Sequence, residues 1–338
     1  MKLNYDIIQT LAFGVSYTEK SDDKIIFSRF SEQERAVLSY GKEKSFTTAG
    51  VRLEFDTDSL HLKIATHTEG HIPHGRNFYS FDVYCGNNMI GQIKNFNGEP
   101  EYPYSQYTLD DRQKSFTLPA GIKRIRIFFP WSVRGMIREI EIDDGAVILP
   151  AKKSRKIIMY GDSITQGYDA ASPSLSYASR LADLLDADCI NKGIGGSLFT
   201  PELAKIKADF SPDLITVSWG TNDWKYSEFE DFANRCSAFF DSLTQNYPQT
   251  PILAIAPIWR ADLDESCAFG SFSKTAEFLK EISTHYKNVL FLDGINFLPR
   301  DISYYRDSHL HPNDKGFESY TNSLAAALKR LDNNFLNL

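Results

Sequence analysis

Residues Lys156–Tyr168 read KIIMYGDSITQGY, a short apolar run that leads directly into a glycine-bounded turn. The apolar run is typical of a buried strand, and Gly161 and Gly167 enclose the polar residues that follow it. Ser163 in this turn has two interpretations. It is either an ordinary turn residue or helix cap, the commonest use of serine beside Gly and Asp, or a nucleophile presented at the end of a strand.

The chain after Pro150 alternates apolar strands with helical patterns. The predicted strands are KIIMY, DLITVSWG, PILAIAPIW and VLFLDG, and the predicted helices are SYASRLADLLDA, FEDFANRCSAFFDSLTQNY, KTAEFLKEISTHY and KGFESYTNSLAAALKRL. Strands that alternate with helices of this length predict an α/β domain with a parallel sheet covered on both faces.

The chain before Pro150 has a different period. From about Ser45 to Leu149, short segments of alternating, β-branched and aromatic residues are separated by turn signals such as CGNN and NGEP. This spacing, with no helical stretch between the strands, predicts an antiparallel β-sandwich or jelly roll. The sequence therefore predicts two domains, a β domain over 1–150 and an α/β domain over 151–338, joined at LPAKKSRK.

Length and charge limit the class of protein. The 338 residues are enough for two domains of ordinary size, and the formal net charge of −7 makes nucleic acid or an anionic membrane an unexpected partner. No run of 18 apolar residues and no signal-peptide pattern is found, so a cytoplasmic location is expected, or secretion if a signal has been removed. Pairing of chains through exposed faces of the β domain is left open.

Four polar segments follow predicted strands or lie near the C-terminus. They are GDSITQG, NKGIGG at Asn191–Gly196, WGTNDW at Trp219–Trp224 and RDSHLHPNDKG at Arg306–Gly316. Because ligands of open parallel sheets bind beyond the carboxyl ends of the strands, these segments are expected to meet at one edge of the sheet.

In these four segments the sequence resembles the SGNH (GDSL-like) hydrolase family. The resemblance implies a flavodoxin-like parallel sheet and serine-dependent hydrolysis of a small-molecule ester, with no cofactor. It implies that Ser163 is the nucleophile and that His311 is the base that takes its proton. It also implies an oxyanion hole formed by the backbone N–H groups of Ser163 and Gly196 and the side chain of Asn222.

The orienting aspartate departs from the family pattern. The family usually places it three residues before the histidine, where this chain has Ser308, and Asp307 lies one residue earlier. Three alternatives follow: a one-residue longer turn in which Asp307 still bonds His311, a dyad oriented by a backbone carbonyl or Ser308, or His309 as a second imidazole.

The substrate is predicted less directly. A jelly roll before an SGNH domain resembles carbohydrate esterases that remove acetyl groups from sugars, which implies a small acyl ester of a carbohydrate as substrate. There are two alternatives to a carbohydrate esterase. One is a lysophospholipase or thioesterase, and the other is an inactive carbohydrate-binding protein. Four residues near the predicted edge are candidates for substrate contact, with packing as the other interpretation: Trp219, Trp224, Trp259 and Arg260.

A metal site is not expected. His61, His67, His71 and His74 are close in sequence, but the local pattern is a strand followed by a Gly/Pro loop, and no cysteine or carboxylate cluster completes a ligand set. Asp162 and Asp223, beside the candidate site residues, are assigned to scaffolding, each tying a loop to neighbouring backbone amides.

Overall fold

The computed structural model describes residues 1–70 and 75–331. The described chain divides into two compact units. The first contains residues 1–31, 43–153 and 171–174, and the second contains residues 32–42, 154–170 and the chain from Leu175 onward. Each unit is therefore assembled from segments that are not contiguous in sequence.

The first unit is built almost entirely of antiparallel strands. Its elements are α1 (Tyr5–Thr10), β1 (Ala12–Phe13), β2 (Tyr17–Ser21), β3 (Lys24–Ser28), β4 (Arg52–Thr57), β5 (His61–Glu69), β6 (Ser80–Cys85), β7 (Asn88–Lys94), β8 (Arg112–Thr117), β9 (Lys123–Phe128), β10 (Arg134–Ile142) and β11 (Leu149–Pro150). One sheet has the order β1-β4-β9-β6-β7, with β11 paired to β4, and the other has the order β2-β3-β10-β5-β8.

Both sheets contribute to a single apolar core, so the unit is a β-sandwich. Leu53 and Ile127 come from the first sheet, Ile64 and Ile137 come from the second, and none of the four is measurably exposed. The predicted antiparallel β region is confirmed. The strands β2 and β3 extend it into residues 17–28, for which the sequence pattern gave no prediction.

Residues 171–174 belong to this unit through hydrogen bonds to β6. The carboxylate of Asp82 accepts hydrogen bonds from the Ser172 hydroxyl and from the backbone N–H of Ser174, the latter at 3.0 Å. The hydroxyl groups of Tyr84 and Ser174 lie 3.0 Å apart. A short segment from the C-terminal half of the sequence is thus held by the β-sandwich.

The second unit contains the parallel sheet. Its elements are α2 (Glu32–Ala36), β12 (Arg155–Gly161), α3 (Ser163–Gln166), α4 (Tyr177–Leu184), β13 (Ala187–Gly193), α5 (Pro201–Ala204), β14 (Leu214–Ser218), α6 (Thr221–Tyr226), α7 (Phe229–Asn246), β15 (Ile252–Ile255), α8 (Ser273–Ser283), β16 (Val289–Leu292) and α9 (Asp314–Arg330). The predicted α/β domain is confirmed, and each predicted strand and helix overlaps an element of the structure.

The sheet has the strand order β13-β12-β14-β15-β16, and all four pairings are parallel. This is the flavodoxin-like order, in which the chain moves first to one side of the starting strand and then to the other. Ligands bind where the direction reverses, beyond the carboxyl ends of β12 and β14. In this chain the segments after these two strands contain Ser163 and Asn222.

One boundary differs from the prediction. The segment Asn191–Gly196 was expected to follow a strand, but β13 continues to Gly193, so only Ile194–Gly196 lie beyond it. The carbonyl and amide groups of Asn191–Gly193 pair with β12, which a sequence pattern containing Asn, Lys and Gly does not predict. Within the described residues, no helix is both long enough and apolar enough to cross a bilayer.

Candidate active site

Ser163 lies at the first position of α3, directly after β12. The side chain of Asp162 caps this helix by accepting a 2.9 Å hydrogen bond from the backbone N–H of Ile164. Gly167 ends the helix with a φ of 101°, a conformation that favours glycine. The turn therefore fixes Ser163 at the carboxyl edge of the sheet, and only 3% of the residue is exposed.

His311 meets Ser163 across 148 residues of sequence. Its Nε2 atom lies 3.0 Å from the Ser163 hydroxyl, and its Nδ1 atom lies 2.7 Å from Oδ2 of Asp307. This is the hydrogen-bond order of a nucleophile, a base and an orienting carboxylate. Ser163, His311 and Asp307, all named from the sequence, are thus brought together by the fold.

The turn before His311 shows how a four-residue spacing reaches this geometry. Oδ1 of Asp307 accepts hydrogen bonds of 2.8 to 3.0 Å from the backbone N–H groups of His309, Leu310 and His311. Ser308 takes a left-handed φ of 57°, which accommodates the additional residue. The arrangement corresponds to the first of the three alternatives, the longer turn.

The Asp307 carboxyl is held in its charged form. Burial raises its pKa, but the hydrogen bond and charge of His311 and the backbone N–H groups of Leu310 and His311 outweigh burial, so the pKa lies well below its ordinary value. An ionised carboxylate is required to fix the imidazole with Nδ1 protonated and Nε2 facing the serine.

His309 points to a different cluster. Its Nε2 atom lies 3.4 Å from a carboxylate oxygen of Asp262 and 3.5 Å from Nη2 of Arg260. The side chain is 42% exposed. The imidazole that contacts Ser163 is therefore that of His311, and the third alternative does not describe the structure.

Asp169 is a second carboxylate at the same imidazole, and the sequence interpretation missed it. Its Oδ2 atom lies 3.5 Å from Nδ1 of His311, and the residue is fully buried. The ring of the preceding Tyr168 lies against the His311 ring with centroids 5.5 Å apart. The only signal in the sequence was a further acid in the GDSITQGYD block, six residues after Ser163.

Asp169, Asp307 and His311 form the one group of three within the described residues whose donor atoms lie close enough for a metal ion. The Nδ1 and Oδ2 atoms that would bind the ion are, however, the atoms joined by the 2.7 Å hydrogen bond between His311 and Asp307. We therefore interpret the group as the hydrogen-bonded support of the imidazole.

The candidate oxyanion donors lie after three neighbouring strands. Gly196 follows β13 with a φ of 79°, and Asn222 lies in α6 after β14. Within residues 1–70 and 75–331, the backbone N–H groups of Ser163 and Gly196 donate no hydrogen bond. Backbone N–H groups beside the nucleophile that have no protein acceptor are suited to bind a developing negative charge.

Ser197 links these segments. Its carbonyl accepts a 3.1 Å hydrogen bond from Nδ2 of Asn222, and its hydroxyl accepts one of 2.9 Å from the indole of Trp219 and lies 3.5 Å from the carbonyl of Gly161. Asn222 has a second N–H on the same nitrogen, and 6% of the residue is exposed. The amide is thereby oriented by the loop that contains Gly196.

Gly193 allows the strand β13 to approach the Ser163 turn. A Cβ at this position would lie 2.3 Å from the backbone nitrogen of Gln166, closer than any real contact. The side chain of Gln166 then accepts a 2.8 Å hydrogen bond from the N–H of Gly195. A larger residue at 193 would separate the two loops that contain Ser163 and Gly196.

Asp162 and Asp223 act as the predicted scaffold acids. Asp162 caps α3, and Asp223 accepts a 3.3 Å hydrogen bond from the N–H of Phe199 and pairs with Arg235 at 3.1 Å. Burial raises the pKa of Asp162 to about 7 and that of Asp223 to about 6, although Arg235 opposes the effect on Asp223.

Two of the predicted substrate residues are in the core. Trp219 is 1% exposed and packs against Tyr160 and Phe199, and Trp224 is completely buried with its indole N–H bonded to the carbonyl of Gly270. Neither ring offers a face on which a sugar could stack. Their burial favours the packing interpretation over substrate contact.

Arg260 and Trp259 are also held by other protein groups. Arg260 is 3% exposed, and its guanidinium is bound by the carboxylate of Asp262 and by the carbonyl and hydroxyl of Thr221. Trp259 is partly buried against the ring of Tyr305, at 5.5 Å between centroids. The Arg260 guanidinium therefore stabilises the start of α6 through Thr221. Trp259 remains partly exposed.

Two of the four histidines considered as metal ligands, His61 and His67, lie on strand β5 of the β-sandwich. His61 binds Asp143 at 2.9 Å, and His67 contacts Asp111 through Nδ1. These carboxylates are hydrogen-bond partners for both imidazoles. His71 and His74 lie outside the described residues.

A family model decides the classification. The GDSL-like Lipase/Acylhydrolase family matches over residues 159–318, a range that includes Ser163, Gly196, Asn222 and His311. Residues 159–318 form a GDSL-like lipase/acylhydrolase domain. The matched domain is accordingly that of a carboxylic ester hydrolase. No curated protein sequence matches the chain significantly.

Solved structures share the fold over nearly the whole chain. A salicylyl-acyltransferase from a tetracycline biosynthetic pathway is 24% identical with a TM-score of 0.81, over 95% of each chain. A GDSL-like lipase from Bacteroides ovatus is 21% identical with a TM-score of 0.79, over 100% of this chain and 98% of its own. A family two carbohydrate esterase from Cellvibrio japonicus is 18% identical with a TM-score of 0.67, over 98% and 97%.

Proposed function

We propose that this GDSL-like hydrolase is serine-dependent and removes small acyl groups, acetyl in particular, from a carbohydrate. The observation that supports the serine mechanism is the hydrogen-bonded series Asp307, His311 and Ser163, with distances of 2.7 and 3.0 Å. Serine alone is a weak nucleophile, and a base within hydrogen-bonding distance is what activates it.

The first half of the reaction forms an acyl-enzyme. Oγ of Ser163 attacks the acyl carbon while its proton passes to Nε2 of His311. The negative charge on the former carbonyl oxygen is met by the N–H groups of Ser163 and Gly196 and by the side-chain amide of Asn222. The intermediate then breaks the bond to the alcohol oxygen, and His311 gives that oxygen its proton.

The second half releases the acid. A water molecule loses a proton to Nε2 of His311 and attacks the acyl carbon, and the bond to Ser163 breaks as the proton returns to Oγ. Asp307 stays ionised throughout and stabilises the imidazolium that forms in each half. No cofactor enters any of these steps.

The carbohydrate part of the proposal depends on architecture. A β-sandwich and a GDSL-like domain occur together in this chain, and the Cellvibrio japonicus structure with the same fold is a carbohydrate esterase. The polar, Asn- and Asp-bearing loops around Ser163 also suit a hydrophilic alcohol better than a long acyl chain.

Hydrolysis of p-nitrophenyl acetate by the wild type and by Ser163→Ala tests the serine mechanism. Loss of Ser163 should reduce turnover to the uncatalysed background while the fold, followed by circular dichroism, stays intact. Equal rates for both proteins would contradict the proposal and leave only a binding function. Ser303→Ala, a replacement of a serine outside the site, is the matched control.

The substrate is tested by an acyl chain-length series measured alongside acetylated monosaccharides. The proposal expects kcat/KM to be highest for acetyl and to fall steadily from acetyl to octanoyl. A maximum at long acyl chains would instead favour a lysophospholipase or thioesterase. High activity on simple acetate esters combined with none on any acetylated sugar would contradict the carbohydrate assignment.

Acyl transfer is a second candidate, since a salicylyl-acyltransferase shares the fold over 95% of both chains. The same acyl-enzyme would then be attacked by an alcohol in place of water. Adding an alcohol acceptor during p-nitrophenyl acetate turnover distinguishes the two, because a transferase forms a new ester and a hydrolase forms acetate. The ratio of ester to acid measures the partition directly.

A further inference from the structure

Residues 32–42 precede most of the β-sandwich in sequence but belong to the hydrolase unit. An ion pair anchors this segment, because a carboxylate oxygen of Glu34 lies 2.6 Å from Nζ of Lys192 on β13. Both side chains are at most 10% exposed. A buried pair of this kind holds its two elements in one arrangement, since separating the charges would leave each one desolvated and unpaired.

Tyr40 lies near the end of this segment, directly over Gly196. Its hydroxyl lies 2.6 Å from the position that a Cβ of Gly196 would occupy, and two ring carbons lie 3.3 Å from the same point. The hydroxyl is thus within about 4 Å of the Gly196 Cα. Despite this contact, 56% of Tyr40 is exposed, so the ring also faces solvent.

These positions place an exposed aromatic ring beside Gly196, a candidate donor to the ester carbonyl. An ester carbonyl bound by the Gly196 N–H would lie about 3 Å from that nitrogen. The Tyr40 hydroxyl lies within about 4 Å of the Gly196 Cα, which is bonded to that nitrogen, so the phenol is near enough to contact the rest of a bound ester. A tyrosine ring offers an apolar face for stacking and a hydroxyl for hydrogen bonding, at a small cost in side-chain entropy.

We propose that Tyr40 is a substrate-contacting residue that determines specificity: its ring forms the wall of the substrate cleft next to Gly196 and stacks on the sugar part of the ester. This inference rests on the proposed function, and it assigns a role to a segment whose sequence pattern predicted none. The buried pair of Glu34 and Lys192 holds the segment that presents the ring.

The test compares two acetate esters that differ only in the alcohol. Ethyl acetate has a leaving group too small to cover an aromatic ring, whereas an acetylated monosaccharide has a ring that can stack. Tyr40→Ala is expected to lower the ratio of kcat/KM for the sugar over kcat/KM for ethyl acetate by about tenfold. Tyr40→Phe keeps the ring and is expected to keep the ratio within about twofold.

Tyr226→Ala is the matched control, because Tyr226 is also an exposed tyrosine, 73% exposed at the end of α6, and lies outside residues 32–42. A Tyr40→Ala ratio equal to that of Tyr226→Ala would overturn the inference. An equal decrease in kcat/KM for both esters would also overturn the inference. That result would mean that Tyr40 affects the acetyl group, which both esters share, and not the sugar.

A binding measurement separates failure of this inference from failure of the proposed function. Calorimetric titration of the acetylated monosaccharide into Ser163→Ala and into Ser163→Ala/Tyr40→Ala reports contact with the sugar without turnover. About tenfold weaker binding by the double variant supports Tyr40 even if hydrolysis proves not to depend on Ser163. Equal affinities overturn the role of Tyr40 whatever the outcome of the serine test.

Discussion

One carboxylate oxygen of Asp307 lies 2.7 Å from Nδ1 of His311, and the other oxygen accepts hydrogen bonds from the backbone N–H groups of three consecutive residues in the same turn. The residue that orients the imidazole therefore also folds the loop that contains it. Positioning of the base and stability of the turn are consequently coupled in a single side chain.

Replacing Asp307 by Ala should lower kcat by about a hundredfold to ten-thousandfold, because the imidazole loses both its orientation and the charge that stabilises its protonated form. Steady-state kinetics with p-nitrophenyl acetate measure the loss. Asp301→Ala is the control, since Asp301 also accepts a backbone N–H, at 2.9 Å, but in a different turn. Turnover within threefold of the wild type would show that His311 does not need Asp307.

Asp169→Asn tests the second carboxylate at His311. Asparagine tolerates the left-handed φ of 69° at this position, so the change removes charge with little backbone strain. We expect kcat to fall by about threefold to thirtyfold with KM unchanged, because the negative charge that favours the imidazolium is reduced but Asp307 remains. An unchanged kcat would limit Asp169 to a packing role.

Asn222→Ala should reduce kcat by about a hundredfold to a thousandfold, the usual effect of removing one oxyanion donor. The side chain also bonds the Ser197 carbonyl, so a small decrease in melting temperature is expected as well. Thermal denaturation monitored by circular dichroism separates the two effects. A folded variant with nearly wild-type turnover would exclude Asn222 from the oxyanion hole.

Asp162→Asn should change how stability depends on pH. The pKa of about 7 in the folded protein lies above the unfolded value near 4, so the native state binds more protons between these limits, and stability falls as pH rises through them. The neutral variant lacks this loss. The free energy of unfolding of the variant minus that of the wild type should therefore be about 2 kcal/mol larger at pH 8 than at pH 5.

Urea denaturation at each pH measures this difference. Asp209→Asn is the matched control, because Asp209 is an exposed aspartate of the same unit. A pH-independent difference for Asp162→Asn would show that this carboxyl ionises normally despite its burial.

Arg260→Ala should destabilise the protein, with little change in KM for enzyme that remains folded. The guanidinium is buried and bonded to Asp262 and Thr221, and removing one partner of a buried ion pair costs about 3 kcal/mol. Thermal denaturation and KM on an acetylated sugar are the two measurements, with exposed Arg300→Ala as control. A raised KM with unchanged stability would restore Arg260 to the substrate site.

The parts of the site that could be predicted are those set by strand ends. Ser163 and Asn222 directly follow apolar strands of a parallel sheet, and all such strands end at one edge, so their proximity follows from the order of elements. His311 was predicted through the family pattern. The register of Asp307 was not predicted uniquely, because a left-handed Ser308 adds one residue to the turn and nothing in its side chain indicates this conformation.

Aromatic residues near the site could not be assigned from sequence. Trp219 directly follows β14, which is where a residue at the carboxyl edge of the sheet is expected. Its ring nevertheless packs inward against Tyr160 and Phe199. Tyr40 is far from the α/β segments in sequence and lies in no periodic pattern. Its segment contacts the sheet through the ion pair between Glu34 and Lys192, across 158 residues of sequence, and local sequence does not encode such a contact.

The alternation of segments between the two units has a practical consequence. A fragment that starts at residue 151 would keep Lys192 in its buried position but lose Glu34, its counter-charge, together with Tyr40. A fragment that stops at residue 150 would lose Ser172 and Ser174, which bind Asp82 of the sandwich. Division of the chain at a single position therefore separates neither unit intact. Because residues 32–42 belong to the hydrolase unit, an insertion or deletion there alters that unit.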